Sequence, residues 1–209
     1  MGTDTAVGKT HQACLLARAL RAEGRGVAAY KPVASGSAPP GQSDAELLWA
    51  ASGSAEPLHR TCPQSFHAPL APPLAAALEQ RQVDEELLAS GAVWWQQRCE
   101  FLIVEGAGGA LSPISESSTV LDLACRLQLP VVLIAANRLG VVNHTLLSLQ
   151  AILARGLPVL GVVLNDLPPA SQDVSPDSNA GLLRSFAPAS IPLVHSIEEL
   201  WQPSGLDAH

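Results

Sequence analysis

Residues 1–10 read MGTDTAVGKT. Gly2 and Gly8 bracket five residues, and Gly8 runs straight into Lys9-Thr10. A glycine-flanked loop that opens a helix turns successive backbone N–H groups inward, at the positive end of the helix dipole, and so makes a cradle for anions. The usual phosphate loop has four residues between its first glycine and Gly-Lys-Ser/Thr, one fewer than here. Lys9 stands where a lysine reaches outer phosphates, and the Thr10 hydroxyl where one meets Mg²⁺. An ordinary glycine turn before a helix is the competing reading. The second glycine and the clean helix that follows favour the phosphate loop.

Outward from this loop, residues 9–23 carry apolar positions at helical spacing and stop at Gly24. A strand normally precedes such a loop, yet only Met1 precedes Gly2 in this sequence. We therefore expect the sheet to lack its first strand, and the natural chain to carry about five to eight further residues, a strand of usual length. Residues 27–31 read as a short strand and 32–42 as loop. Ser43 and Glu46 form a capping box for a helix that Gly53 closes. Residues 54–70 read as irregular, with helices at 72–80 and 84–98.

From residue 101 the pattern alternates: strand FLIV into Glu105 and a glycine loop, helix 118–128, strand 131–136, helix 143–155, strand 159–165. A helix at 177–186, a weak strand at 191–194 and a short helix at 196–201 complete the chain. Apolar strands without strict alternation, separated by helices, indicate a mostly parallel sheet covered by helices on both faces. The expected class is a P-loop-like α/β fold in a single domain over residues 1–209. Ligands of such sheets sit in the loops at the carboxyl ends of the strands.

Composition narrows the functions. The 209 residues are 47% hydrophobic and 15% charged, enough for a core and too little charge for disorder. Nineteen acidic against 12 basic residues give a net charge of −7, which argues against non-specific binding to nucleic acid or anionic membranes. No apolar run is long enough to span a bilayer, and no signal peptide is visible. Cys14, Cys62, Cys99 and Cys125 are widely spaced, so we expect reduced, mostly buried thiols in a cytoplasmic protein rather than a zinc site.

Further chemistry-bearing residues stand at segment ends. Lys31 closes a strand before Pro32, where a plain surface lysine is the simpler reading. Asp44 lies in the first turn of a capped helix, which suits the dipole. Glu105 closes an apolar strand and enters Gly-Ala-Gly-Gly, where a carboxylate could hold Mg²⁺ and glycines admit a ligand to the backbone. Asn143 reads as an N-cap, and Asn165 as a strand-end residue that reads a base edge or makes a turn.

Taken in order, GTDTAVGKT, YKPVASG, SDA, VEGAGG, RLGVVNHTLL and GVVLND resemble the ATP-dependent dethiobiotin synthetase family over residues 2 to about 166. That family closes a ureido ring on 7,8-diaminononanoate with CO₂ and ATP, through a carbamate and a carbamic-phosphoric anhydride. The resemblance implies that Thr5, Ala6, Val7, Gly8, Lys9, Thr10 and His11 hold ATP. It adds Asp44, Glu105, Gly106, Ala107, Gly108, Asn165 and Asp166 to the ATP site. Thr10, Asp44 and Glu105 would be the Mg²⁺ ligands and Lys31 the catalytic residue. Ser35, Gly109 and Asn143 would meet the substrate, with Asn143 reaching the partner's site in a homodimer. The family's proline between 195 and 200 is absent, and Arg138 stands where lysine is common. The rival readings are a nucleotide-driven switch, which usually has a second lysine in its loop, an amidotransferase-linked synthetase, which needs a Cys nucleophile with a His partner in an added domain, and a catalytically inactive homologue.

Overall fold

The computed structural model describes residues 1–167 and 173–201. The helices are α1 (Lys9–Ala22), α2 (Asp44–Ser52), α3 (Leu58–Thr61), α4 (Pro72–Leu78), α5 (Glu85–Gln96), α6 (Val120–Leu127), α7 (Val141–Ala154), α8 (Pro176–Phe186) and α9 (Ile197–Leu200). The strands are β1 (Val27–Tyr30), β2 (Ala34–Ser35), β3 (Ser65–Phe66), β4 (Phe101–Val104), β5 (Val131–Ala136), β6 (Val159–Asn165) and β7 (Leu193–Val194). Every strand pairing among them is parallel: β1 with β4, β2 with β3, β5 with β6, and β6 with β7.

Both faces of the sheet are covered, most completely at β1, β5 and the second half of β6, which is why the strands read as apolar runs. Val131, Leu133 and Ala135 of β5 pack with α6, α7 and α8, through Leu121, Leu149, Ile152 and Leu183. Ile134 and Ala136 point the other way, onto Val7, Ile197 and the partly buried Leu15 and Leu16. On β1, Ala28 and Tyr30 meet Ala92 and Trp95 of α5, while Ala29 meets Ala13, Cys14 and Ala17 of α1 and Leu48 of α2. Leu133 and Leu164 are fully buried, and truncating either to alanine would cost about 2–5 kcal/mol.

Helix ends follow local chemistry. Ser43 and Glu46 make both bonds of the capping box, and Gly53 ends α2 in the left-handed region. α7 differs from expectation. It begins at Val141 behind Gly140, which has φ 92° and offers no side-chain cap, so Asn143 is a first-turn residue and not the N-cap. The stretch 54–70 is also more ordered than composition suggests, since it holds α3 and β3, and β3 pairs back onto β2. The four cysteines are free thiols, with Cys14 buried and the others partly so.

Between β4 and β5, which do not pair with each other, lies the start of the chain. Gly2 makes parallel bridges to Gly109 and Ile134. The Met1 amino group donates to Val132 O at 2.9 Å, Ile134 N donates to Met1 O at 2.9 Å, and Thr3 N donates to Ile134 O at 2.9 Å. The loop thus enters α1 from the middle of the sheet, anchored chiefly on β5. Among the described residues, no helix is long and apolar enough to cross a membrane.

Candidate active site

Strand register builds the centre of the site. β1 and β4 run in parallel with Tyr30 opposite Val104, and Glu105 N extends the ladder to Tyr30 O at 2.9 Å. The next residues on each strand, Lys31 and Glu105, are therefore neighbours. Tyr30 and Val104 belong to the α5 face, so by strand alternation Lys31 and Glu105 point to the opposite face, where α1 and α2 begin. Lys31 Nζ lies 2.5 Å from Glu105 Oε1 and 2.9 Å from Asp44 Oδ2, the first helical residue of α2. Thr10 Oγ1, at the start of α1, donates to Asp44 Oδ1 at 2.8 Å and to Glu105 Oε1 at 2.9 Å.

Four residues from four segments thus meet where two helix N-termini overhang the ends of two strands. The Lys31 and Glu105 side chains are only 4% and 3% exposed, whereas Asp44 is 49% exposed and opens the cluster to solvent. The reading of Lys31 as a surface lysine is overturned. Burial works against the Lys31 ammonium, but Glu105 and Asp44 outweigh it and hold its pKa above the ordinary value. Burial likewise pushes the Asp44 carboxyl up, and Lys31 and Thr10 more than reverse this, so it stays below the usual range. Lys9 is mostly buried, and desolvation together with Lys31 lowers its pKa.

The loop curls over this centre. Ala6 and Gly8 have positive φ, 54° and 90°, and Lys9 Nζ donates back to Asp4 O at 2.7 Å. A Cβ at Gly8 would overlap the Asn165 carboxamide. Gly108, with φ 79°, approaches Thr5 Oγ1 and the Ser112 side chain, and Gly109 N donates to Ser112 Oγ at 2.8 Å. Thr5 and Ala6 are exposed at the loop crest, Val7 is buried beneath it, and His11 is exposed on α1. Gly106 and Ala107 join Glu105 to this glycine turn, and Ser35 lies on β2 after Lys31.

Three expected site residues, Asn165, Asp166 and Asn143, are placed away from the centre. Asn165 is buried and faces the loop: its Oδ1 accepts from Gln12 Nε2 at 2.8 Å and its Nδ2 donates to Val7 O at 3.0 Å. One N–H of its carboxamide is left over. Asp166 is exposed and accepts from Asn137 Nδ2 at 2.6 Å, with His195 Nδ1 3.2 Å from its other oxygen. Asn143 is exposed on α7, and Leu147, one turn on along the same face, is 57% exposed. Sequence reading missed Gln12 and Ser112. A glutamine among the buried positions of an otherwise apolar helix face was the available signal for Gln12.

The donor set suits a small hard cation. Thr10, Asp44 and Glu105 offer only oxygen, and Glu105 Oε2 is buried without a hydrogen-bond partner. Among the described residues, no group of three or more His, Cys, Asp or Glu side chains gathers for a metal, and the set here is two carboxylates and a hydroxyl.

A parallel α/β sheet, a glycine loop at a helix N-terminus and a Lys-Thr-Asp-Glu cluster at the strand ends define a protein of the P-loop class. The family model for an AAA domain matches residues 1–202. The ATP-dependent dethiobiotin synthetase BioD of Anaeromyxobacter dehalogenans strain 2CP-C is 45% identical over 183 residues, covering 88% of this chain and 82% of that protein. Its namesake from Rhodopirellula baltica is 37% identical over 219 residues, covering 98% and 83%. The chain belongs to the dethiobiotin synthetase family. A solved structure of the septum site-determining protein MinD with Mg-ADP from Pyrococcus horikoshii is similar at TM-score 0.49 and 17% identity, covering 94% of this chain and 80% of that one.

Proposed function

We propose that this chain catalyses the ATP-dependent closure of a ureido ring on 7,8-diaminononanoate with CO₂, giving dethiobiotin, ADP and phosphate. The observation that carries the reading is the buried Lys31–Glu105 pair, joined by Thr10 and Asp44 directly beneath the glycine loop. The reaction needs little covalent help from protein. A substrate amine takes up CO₂ as a carbamate, whose oxygen attacks the γ-phosphorus of ATP. The second amine then closes the ring as phosphate leaves. What the protein supplies is orientation and compensation of negative charge.

The residues divide that work. The backbone of 5–10, with His11 at the start of α1, surrounds the phosphates, and Lys9 swings from the Asp4 carbonyl to the outer phosphoryl oxygens. Lys31 is the fixed ammonium between carbamate and phosphoryl group. Its raised pKa keeps it charged at neutral pH, and its partners hold it still, so no reorganisation is needed when charge moves. Thr10, Asp44 and Glu105 would hold Mg²⁺, which would neutralise phosphate charge. Gly106, Ala107, Gly108 and Gly109 let reacting groups approach the backbone, and Ser35 meets the substrate from β2. Asn165 and Asp166 serve the nucleoside end.

Asn143 and the exposed Leu147 form one helix face, which we assign to a homodimer in which Asn143 meets the carboxylate of substrate bound by the partner. The beginning of a helix suits a carboxylate. The protein acts in the cytoplasm on small molecules. The test is incubation with diaminononanoate, bicarbonate, ATP and Mg²⁺. Dethiobiotin and phosphate should appear together, and each should fail when any one component is omitted. Phosphate release without dethiobiotin would instead favour a nucleotide-driven switch, and neither product an inactive homologue.

A further inference from the structure

Gln12 belongs to neither the loop nor the charged cluster, yet it is 3% exposed and both ends of its carboxamide are engaged. Ile197 N, at the start of α9, donates to Gln12 Oε1 at 3.0 Å. Gln12 Nε2 donates to Asn165 Oδ1 at 2.8 Å, and Asn165 Nδ2 donates to Val7 O at 3.0 Å. The chain is anchored by a backbone group of fixed polarity at each end. A backbone N–H can only donate, so Gln12 must turn its oxygen to Ile197. A backbone carbonyl can only accept, so Asn165 must turn its nitrogen to Val7. Both ends dictate the same orientation of both amides, and neither can flip without setting like atoms face to face at two contacts.

We infer that Gln12 is a positioning residue for nucleobase selection, locking at Oδ1 the Asn165 carboxamide that Val7 O orients at Nδ2, and so holding in place the atoms it offers to the base. This rests on the nucleotide reading of the site. With Nδ2 bound to Val7 O and Oδ1 bound to Gln12, Asn165 has one N–H and one oxygen lone pair to spare. One donor beside one acceptor matches adenine, whose N6 amino group donates and whose N7 accepts; guanine offers two acceptors, O6 and N7, at the same edge. The same chain joins the phosphate loop at Val7 to α9 through the helix between them, so the base contact and the loop are set together.

The experiment measures ATP and GTP binding by calorimetry, independently of turnover, for the parent chain, Gln12→Met, Asn165→Ala and the double variant. Gln12→Met keeps the length of the side chain and removes both hydrogen bonds. The inference expects the parent to prefer ATP and Gln12→Met to lose about tenfold in that preference, the value of a hydrogen bond lost at the base. In the Asn165→Ala background Gln12→Met should change the preference no further, because its effect passes through Asn165. A parent with no preference would overturn the inference, as would an unchanged preference in Gln12→Met. Equal losses in both backgrounds would overturn it too. If Gln12→Met does not melt cooperatively, Gln12→Ala is assayed in its place; failure of both to fold would make Gln12 a determinant of the fold and overturn the proposed role. A parent that binds neither nucleotide refutes the nucleotide reading itself, which is a separate outcome.

Discussion

Replacing Lys31 by methionine tests the buried pair most directly. Methionine fills much of the lysine volume but removes the ammonium from 2.5 Å beside Glu105 Oε1. Glu105 is 3% exposed and its other oxygen already lacks a partner. The carboxylate would keep only the Thr10 hydroxyl, at 2.9 Å. Removing one member of a buried ion pair costs about 3–5 kcal/mol, because the other charge stays desolvated. For a chain of this length that is a fall in Tm of roughly 6–20 °C, at 2–4 °C per kcal/mol. The second half of the prediction is rescue. Lys31→Met/Glu105→Gln removes both charges and keeps the Thr10 contact, so it should recover more than half of the loss. A double-mutant cycle by thermal and urea unfolding should give a coupling of about 2–3 kcal/mol. Assayed below its melting temperature, Lys31→Met should still bind ATP but form no dethiobiotin. If Lys31→Met stays within about 1 kcal/mol of the parent, an ordinary effect for a point substitution, and Glu105→Gln gives no rescue, the account of the pair is wrong.

Gly8→Ala should weaken ATP binding and destabilise the chain by about 1–3 kcal/mol, since φ 90° strains any residue with a Cβ and the added carbon meets the Asn165 carboxamide; parental ATP affinity would contradict the loop geometry. The Asp44 carboxyl titrates below its ordinary 3.8, so its contribution is present above that pH and is lost as pH falls through the lower folded value. Asp44→Asn should therefore flatten the acid limb of a stability–pH profile, and an unchanged limb would count against the assignment. Lys31 is the mirror case: its pKa is raised above 10.5, so its contribution is complete below that pH and fades as pH climbs through the higher folded value. Mixing Asn143→Ala chains with Lys31→Met chains under conditions that exchange subunits should restore some turnover, because one hybrid site keeps both residues; no recovery would refute a shared site.

Much of the fold was legible because helix boundaries are local. Ser43, Glu46 and Gly53 bracket α2 through contacts within three residues, and the apolar strands announce a sheet covered on both faces. The candidate site residues were legible as types at segment ends, above all Lys9-Thr10 after the glycine loop and Glu105 before another. What they meet was not legible. Lys31 looked like a surface lysine because its burial follows from the register of β1 against β4, a contact across 74 positions of sequence. Asn143 looked like an N-cap because the turn that starts α7 two residues earlier rests on the left-handed conformation of Gly140, which letters do not show. The pairing of β2 with β3 within an irregular stretch depends on where α3 delivers the chain. The orientation of Asn165 depends on Gln12 and Val7, 153 and 158 positions away. The sequence by itself determined the longer helices and strands and the anion loop, since those follow from caps, periodicity and backbone freedom over a few residues. The tertiary structure decided which charges are buried together and which amide atoms face the ligand, since pairing between distant segments sets desolvation and hydrogen-bond polarity.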